Sequence, residues 1–157
     1  MEKIVIRGSA LNRALNLLLV EEDCADGKII KIALSSAGIE GNLFTVHSGW
    51  ECLKFLQRQE EYVSAPKPDV IIVDLNLLRE GTAQLDDLKT YTDTAGVPVI
   101  ILADEYVEKK ILAPYIGGIF RSLNPPSGIK DFVVSIRKVI SDLLPEIVGE
   151  SQATHSI

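Results

Sequence analysis

The stretch Val70-Ile71-Ile72-Val73-Asp74, residues 70–74, decides the fold. Four consecutive β-branched apolar residues predict a strand buried on both faces, as in a parallel sheet, and an aspartate closes it. Comparable short apolar runs lie at residues 17–20, 43–46 and 99–102. A weaker run at residues 119–123 contains Arg121 and Ser122, and these polar side chains predict an edge strand.

Segments with helical spacing separate the apolar runs. They lie at residues 29–37, 53–56, 85–88, 107–115 and 129–143. The first is closed by Gly38, and the last, which has the widest apolar stripe, ends before Pro145. Regular alternation of strand and helix implies right-handed crossovers and predicts an α/β fold, a flavodoxin-like doubly wound (βα)5 domain with a five-stranded parallel sheet.

The domain organisation predicted is an N-terminal extension at 1–15, one domain at 16–144 and a disordered tail at 145–157. The strand-like residues 4–6 could pair at a sheet edge, pack under the core or stay loose, and the sequence does not decide. The net charge of −6 is the wrong sign for binding nucleic acid, and no apolar run is long enough for a membrane helix. We expect no nucleic-acid partner, no membrane association and a cytoplasmic location.

Acidic side chains follow two of the predicted strands. Glu21, Glu22 and Asp23 come directly after residues 17–20, and Asp74 ends the third strand. The carboxyl ends of parallel strands meet at one edge, so these oxygens, with the carbonyl of Asn76, form a ligand set suited to Mg²⁺. The alternative is that the three N-terminal acids cap the next helix or face solvent. A carboxylate closing a buried strand favours the metal site.

At these residues the chain resembles a response regulator receiver domain, and most closely the single-domain regulators associated with phytochrome histidine kinases. The resemblance rests on residues 17–23 and on residues 62–69, which lead into Asp74. It implies that Asp74 is the phosphoacceptor, that Glu21, Glu22, Asp74 and the Asn76 carbonyl bind Mg²⁺, and that a histidine kinase is the partner.

Other positions depart from the family pattern. The hydroxyl residue after the fourth strand falls on Ala103, and the lysine before a proline falls on Pro125, with Asn124 beside it. The aromatic switch position falls on Ser122, and Leu78 replaces a proline. Glu22 stands where an aspartate is more usual. These differences predict weak phosphorylation or phosphorylation without a conformational switch, because no cation faces the phosphoryl group and no hydroxyl follows it.

Three functional hypotheses follow. The first is an atypical stand-alone receiver domain, not an enzyme, that signals through protein contacts, including a possible homodimer through the face of the fourth helix, fifth strand and fifth helix. The second is a fully competent Mg²⁺-dependent phosphoacceptor. The third is a small-molecule-binding flavodoxin-like module.

Several single residues carry weaker predictions. Arg121 could replace the missing lysine, but an edge arginine that takes no part in the site is favoured. Trp50 is favoured as a core residue over an exposed contact. Neither His47 nor His155 has a visible partner for acid or base work, so the two histidines do not predict a site. Cys24 and Cys52 show no metal-binding spacing, and reduced thiols are expected.

Overall fold

The structure is a computed structural model of the chain. It describes residues 1–8, 13–21, 24–74, 83–126 and 128–147, with the backbone alone at residues 24–26, 83 and 147. The strands are β1 (Glu2–Ile6), β2 (Leu15–Val20), β3 (Gly41–Val46), β4 (Val70–Asp74), β5 (Val99–Leu102) and β6 (Phe120–Leu123). The helices are α1 (Cys24–Ser36), α2 (Gly49–Gln57), α3 (Ala83–Ala95), α4 (Glu105–Val107) and α5 (Ile129–Leu143). Three helical turns complete the description: 3-10 turns at Glu60–Tyr62 and Pro145–Ile147, and a π-helical turn at Glu108–Leu112.

The predicted fold class is confirmed: one sheet has the strand order β1-β3-β2-β4-β5-β6. The five predicted strands, β2 to β6, pair in parallel, and β6 is at one edge as expected. The sheet has one strand more than predicted. β1 pairs antiparallel with β3 at the other edge, which settles the placement that the sequence left open for residues 4–6.

The sheet is buried on both faces because its central strands carry almost only apolar side chains. On one face, Leu17, Leu19 and Ile72 pack with α1 and α5, whose buried residues include Ile30 and Ile136. On the other face, a second core lies against α2 and α3 and is built from the following residues: Leu18, Val20, Ile71, Val73, Phe55 and Leu88. Two covered faces are what near-continuous apolar strands require.

Local sequence accounts for where the helices begin and end. Gly38 follows α1 with φ of 80°, a conformation that favours glycine, and so closes the helix as predicted. Ser48 caps α2, because its hydroxyl accepts the backbone N–H of Glu51 at 3.1 Å. The fourth predicted helix, at residues 107–115, is largely wrong in type. Its α-helical part is only Glu105–Val107, and a π-helical turn follows.

The chain ends bear on the predicted domain boundaries. Residues 1–15 include the whole of β1, and Ile6 is buried in the core. Residues 145–147 form a 3-10 turn after α5, and residues 148–157 lie outside the described part of the chain. The division into an extension, a domain and a tail stays a prediction. Among the described residues, every helix is too short or too polar to cross a membrane.

Candidate functional site

The parallel register brings two acids to one edge of the sheet. Val20 at the end of β2 pairs with Val73 of β4, so the next residue on each strand, Glu21 and Asp74, leaves the sheet at the same level. Asp74 pairs in turn with Leu102 of β5. The backbone N–H of Glu21 donates to the carbonyl of Val46 at 3.0 Å, which holds this residue to β3 after the strand has ended.

The side chain of Glu21 is buried, with 3% of its surface exposed. It lies against the first turns of α1, where Gly27 leaves room for it. A methyl carbon at Gly27 would lie 2.3 Å from Oε1 of Glu21, which is far inside van der Waals contact. The absence of a side chain at Gly27 therefore leaves the space that the Glu21 carboxylate occupies, a role that strand and motif patterns did not reveal.

The predicted metal site is described only in part. Glu21 and the half-buried Asp74 lie at neighbouring strand ends, whereas Glu22, Asp23 and Asn76 lie outside the described residues. The described residues contain no group of three His, Cys, Asp or Glu side chains arranged to hold a metal ion. Two carboxylates at one sheet edge nevertheless fit a hard divalent cation, which prefers oxygen ligands and offsets the repulsion between the acids.

The structure places the substituted switch positions around the same edge. Ala103 follows β5 directly, is 1% exposed, and donates its backbone N–H to the carbonyl of Leu123 at 2.8 Å. Its methyl group belongs to the core on the side of α2 and α3. Ser122 is half-buried in β6, and Asn124 and Pro125 are exposed immediately after it. Leu78 lies outside the described residues.

Arg121 is not positioned to replace the missing lysine. It pairs with Ile100, two residues short of Leu102, the β5 residue that pairs with Asp74. Its Nε donates to the carbonyl of Gly118 at 2.7 Å, which holds the guanidinium at the turn before β6. This geometry agrees with the edge-arginine interpretation.

His47 is a residue whose partners the sequence did not reveal. Its Nδ1 lies 3.0 Å from the carbonyl oxygen of Glu21, and its Nε2 lies 3.1 Å from a carboxylate oxygen of Glu2 in β1. Both partners are acceptors, so only the imidazolium form donates to both. His47 thus links the antiparallel edge strand to the backbone of the buried acid. These are structural contacts, and the prediction that His47 has no partner for acid or base chemistry is not tested by them.

The cation character of His47 is supported by its surroundings. Burial alone would lower the pKa of His47, but the hydrogen bonds to Glu2 and to the Glu21 carbonyl, with the charges of Glu2 and Glu51, raise it above 6.5. Glu51 of α2 also accepts the backbone N–H of His47 at 3.2 Å.

Two other predictions have clear outcomes. Trp50 was favoured as a core residue, and this was wrong, since 62% of its surface is exposed. The reason is its place on α2, where Cys52, Leu53, Phe55 and Leu56 form the buried face instead.

Cys52 is a buried free thiol, and burial raises its pKa to about 12, so it stays protonated and unreactive. The side chain of Cys24 and all of His155 lie outside the described residues.

From the sequence, the apolar residues Val107, Ile111 and Tyr115 could either form the predicted dimer face or pack on the sheet. Val107 and Tyr115 pack against the core of the same chain, whereas Ile111 is 38% exposed. A homodimer through this face, which contains β6 as its strand, stays a prediction.

A mostly parallel sheet with helices on both faces and acids at one edge is typical of a receiver-like domain. Comparison with known proteins identifies the family. No protein-family model matches the chain. The chain is 33% identical over 100 residues to response regulator Rcp1 of Synechocystis sp., a match covering 63% of this chain and 68% of Rcp1. The crystal structure of the Mn²⁺-bound form of Rcp1 matches with a TM-score of 0.64 and 29% identity, covering 81% of this chain and 92% of that one. The phosphorylated cyanobacterial phytochrome response regulator RcpA matches with a TM-score of 0.64 and 25% identity, over 83% and 93% of the two chains.

The chain belongs to the response regulator family and has the receiver fold. Within that family it is similar to phytochrome response regulators, as the motif at residues 17–23 predicted.

A double-mutant cycle tests the contact between Gly27 and Glu21. Gly27→Ala removes a glycine from a helix, which by itself adds about 0.5–1 kcal/mol to the free energy of unfolding. In the native background, we expect Gly27→Ala to leave the free energy of unfolding unchanged or to lower it, because the new methyl group displaces the buried carboxylate. In a Glu21→Ala background the gain of about 1 kcal/mol should appear. Urea denaturation of the four chains measures the coupling.

Gly128→Ala is the matched control for this cycle, because a methyl carbon there meets nothing within 4 Å. Its effect on the free energy of unfolding should be the same in both backgrounds. Equal effects of Gly27→Ala with and without the Glu21 carboxylate would show that the two residues do not compete for space.

The His47 link predicts a pH-dependent contribution to stability. Because the pKa of His47 is raised in the folded chain, its contribution is fully present below pH 6.5 and is lost as the pH rises through the folded value. His47→Gln should therefore lower the free energy of unfolding at pH 5.5, by less than about 1 kcal/mol for such an exposed ion pair, and leave it nearly unchanged at pH 9. Glu2→Gln should reproduce most of the effect, and a loss that is the same at both pH values would contradict the assignment.

Proposed function

We propose that the chain is an atypical receiver that accepts a phosphoryl group on Asp74 inefficiently and signals through protein contacts with weak or uncoupled switching. The observation that carries the proposal is the register of β2 and β4, which brings Glu21 and Asp74 to the same edge in a chain of the response regulator family. The proposal assigns a signalling role rather than an enzymatic one.

Glu21 and Asp74, together with Glu22 and the Asn76 carbonyl from the loops that follow, are the proposed ligands of a divalent cation, for which Mg²⁺ is the expected ion. The solved relative in its Mn²⁺-bound form supports a divalent ion at such a site. The bound ion would supply positive charge that screens the carboxylates from an incoming phosphoryl group. Gly27 leaves the space that the carboxylate of Glu21 occupies.

The proposed reaction is transfer from a phosphohistidine of a histidine kinase. A carboxylate oxygen of Asp74 forms a bond to phosphorus while the bond from phosphorus to the histidine nitrogen breaks, and the electron pair of that bond stays with the imidazole. The kinase as donor is inferred from the similarity to phytochrome response regulators. Asp74 suits the role of nucleophile because it is half-buried at the strand end and within reach of the surface.

Weak switching follows from what surrounds the site. The buried methyl group of Ala103 donates no hydrogen bond to a phosphoryl oxygen, and Pro125 provides no charge. A charge-assisted bond to a phosphoryl oxygen is roughly twice as strong as a neutral one, so the loss at residue 125 is the larger. Without groups that contact the phosphoryl oxygens differently in two conformations, phosphorylation shifts no conformational equilibrium.

Incubation with Mg²⁺ and phosphoramidate tests the proposal. We expect a labelled fraction well below one phosphoryl group per chain, detected by intact-mass spectrometry, and no labelling of Asp74→Asn. Stoichiometric, stable labelling of the native chain would favour a fully competent phosphoacceptor instead. Labelling that survives in Asp74→Asn would overturn the assignment of the acceptor.

Restoring the missing cation gives a second, independent test. Pro125→Lys should raise the labelled fraction several-fold, because an ammonium group would then face the phosphoryl oxygens. Pro126→Lys is the matched control, with the same change in charge one residue further along, and should leave the labelled fraction unchanged. Equal labelling of the two variants would show that residue 125 does not face the site.

A further inference from the structure

The most unusual exposed side chain in the described part of the molecule is that of Trp50. It is the only tryptophan in the chain, and it lies in the first turn of α2 with 62% of its surface exposed. Tryptophan is seldom left in water without a reason, and it is enriched among the residues that dominate binding energy at interfaces.

Trp50 borders a groove between α2 and α3. The groove has a volume of about 630 Å³, and Leu53, Lys54 and Tyr91 are among its lining residues. The hydroxyl of Tyr91 donates to the carbonyl of Leu56 at 2.7 Å, which ties the two helices together at the groove. Its apolar wall is therefore held in place by a contact between the helices.

A second hollow continues the groove past the end of α2. It has a volume of about 370 Å³, shares Gln57 and Tyr91 with the first, and adds Arg58 and Lys67. The two hollows form one trough, with an aromatic end at Trp50 and a basic end at Arg58 and Lys67.

The two cations at the basic end are held by backbone carbonyls. Nε of Arg58 donates to the carbonyl of Ala65 at 3.0 Å, and Nζ of Lys67 donates to that of Ala95 at 2.8 Å. Among the ion pairs found between described residues, neither side chain has a carboxylate partner, whereas Lys54 pairs with Glu60. Among the described residues, Arg58 is also one of two non-glycine residues with positive φ, at 54°, so the chain adopts a costly backbone conformation beside this end.

The charge of the trough is opposite to that of the whole chain. Its lining includes Lys54, Arg58, Lys67 and one carboxylate, that of Asp87. Lys54 is paired with Glu60, so the positive charge of the trough comes from Arg58 and Lys67, whereas the chain as a whole has a net charge of −6. A local basic patch on an acidic protein attracts an acidic partner, whereas the same basic patch on a second copy is repelled, so pairing of two such grooves is disfavoured.

We propose that the groove between α2 and α3 binds an acidic segment of a partner protein, with an apolar side chain of that segment on Trp50 and its carboxylates at Arg58 and Lys67. The apolar anchor provides the buried contact, and the two cations provide orientation through charge-assisted hydrogen bonds. Neither Glu21 nor Asp74 lines this surface, so the proposal does not depend on whether Asp74 accepts a phosphoryl group.

Selection of random peptides displayed on phage against the intact chain tests the proposal. We expect the selected peptides to carry an aromatic or aliphatic residue flanked by two or more Asp or Glu residues. Titration of the native chain with a synthetic selected peptide should change the fluorescence of Trp50 and give an affinity that falls with added salt. Trp50→Ala and the double variant Arg58→Gln, Lys67→Gln should each bind the same peptide at least tenfold more weakly, measured by calorimetry.

Lys28→Gln together with Lys31→Gln is the matched control, because it removes two exposed lysines from α1 on the opposite face of the sheet. The affinity of this double variant for the selected peptide should equal that of the native chain. Lys67→Gln alone keeps the hydrogen bond from Arg58 to the Ala65 carbonyl. It therefore distinguishes a loss of binding caused by the missing charge from one caused by local unfolding. It should weaken binding several-fold with an unchanged circular dichroism spectrum.

Three results would overturn the proposal. The first is selection of neutral or basic peptides, or of none above background. The second is binding that is indifferent to the Arg58 and Lys67 substitutions. The third is self-association in sedimentation velocity that is abolished by Trp50→Ala, because the occupant would then be a second copy of the chain.

Discussion

The parallel pairing of β2 with β4 is the constraint on which the site depends. Hydrogen bonding between Leu17–Val20 and Val70–Val73 fixes both strands in one register, so Glu21 and Asp74 must leave the sheet side by side. Apolar side chains on both faces of these strands enforce that register, because a slip of one residue would exchange the two cores. The position of the acids is thus a consequence of core packing, and Gly27 leaves the space that the Glu21 carboxylate occupies.

The same edge of the sheet carries the residues from which we propose weak phosphorylation and weak switching. Leu102 of β5 pairs with Leu123 of β6, so Ala103 and Asn124 follow the ends of neighbouring strands. We propose that the residues at these strand ends, with Pro125, lack the groups that would contact a phosphoryl oxygen. The proposed cation site uses only the ends of β2 and β4 and the loops that follow them. A conformational change in response to phosphorylation would need a hydroxyl group and an ammonium group at the ends of β5 and β6.

The central sheet could be predicted from sequence because its signal is local: four runs of apolar residues and an aspartate at a strand end. Features that depend on distant partners could not. The placement of β1 depends on pairing with β3, and the contacts of His47 depend on that placement, since Glu2 is 45 residues away. Trp50 was misassigned because an aromatic residue beside an apolar helical stripe resembles a core residue until the phase of α2 is known. The fourth helix failed because apolar spacing alone does not distinguish an α-helix from a π-helical turn.

Electron paramagnetic resonance of Mn²⁺ titrated into the chain tests the central claim most directly. The account predicts one bound ion per chain, with binding at least tenfold weaker in Glu21→Gln and in Asp74→Asn, and unchanged in Asp87→Asn, an exposed acid on α3. Binding that is insensitive to either Glu21 or Asp74 would show that the two carboxylates do not share an ion, and the proposed site would have to be abandoned.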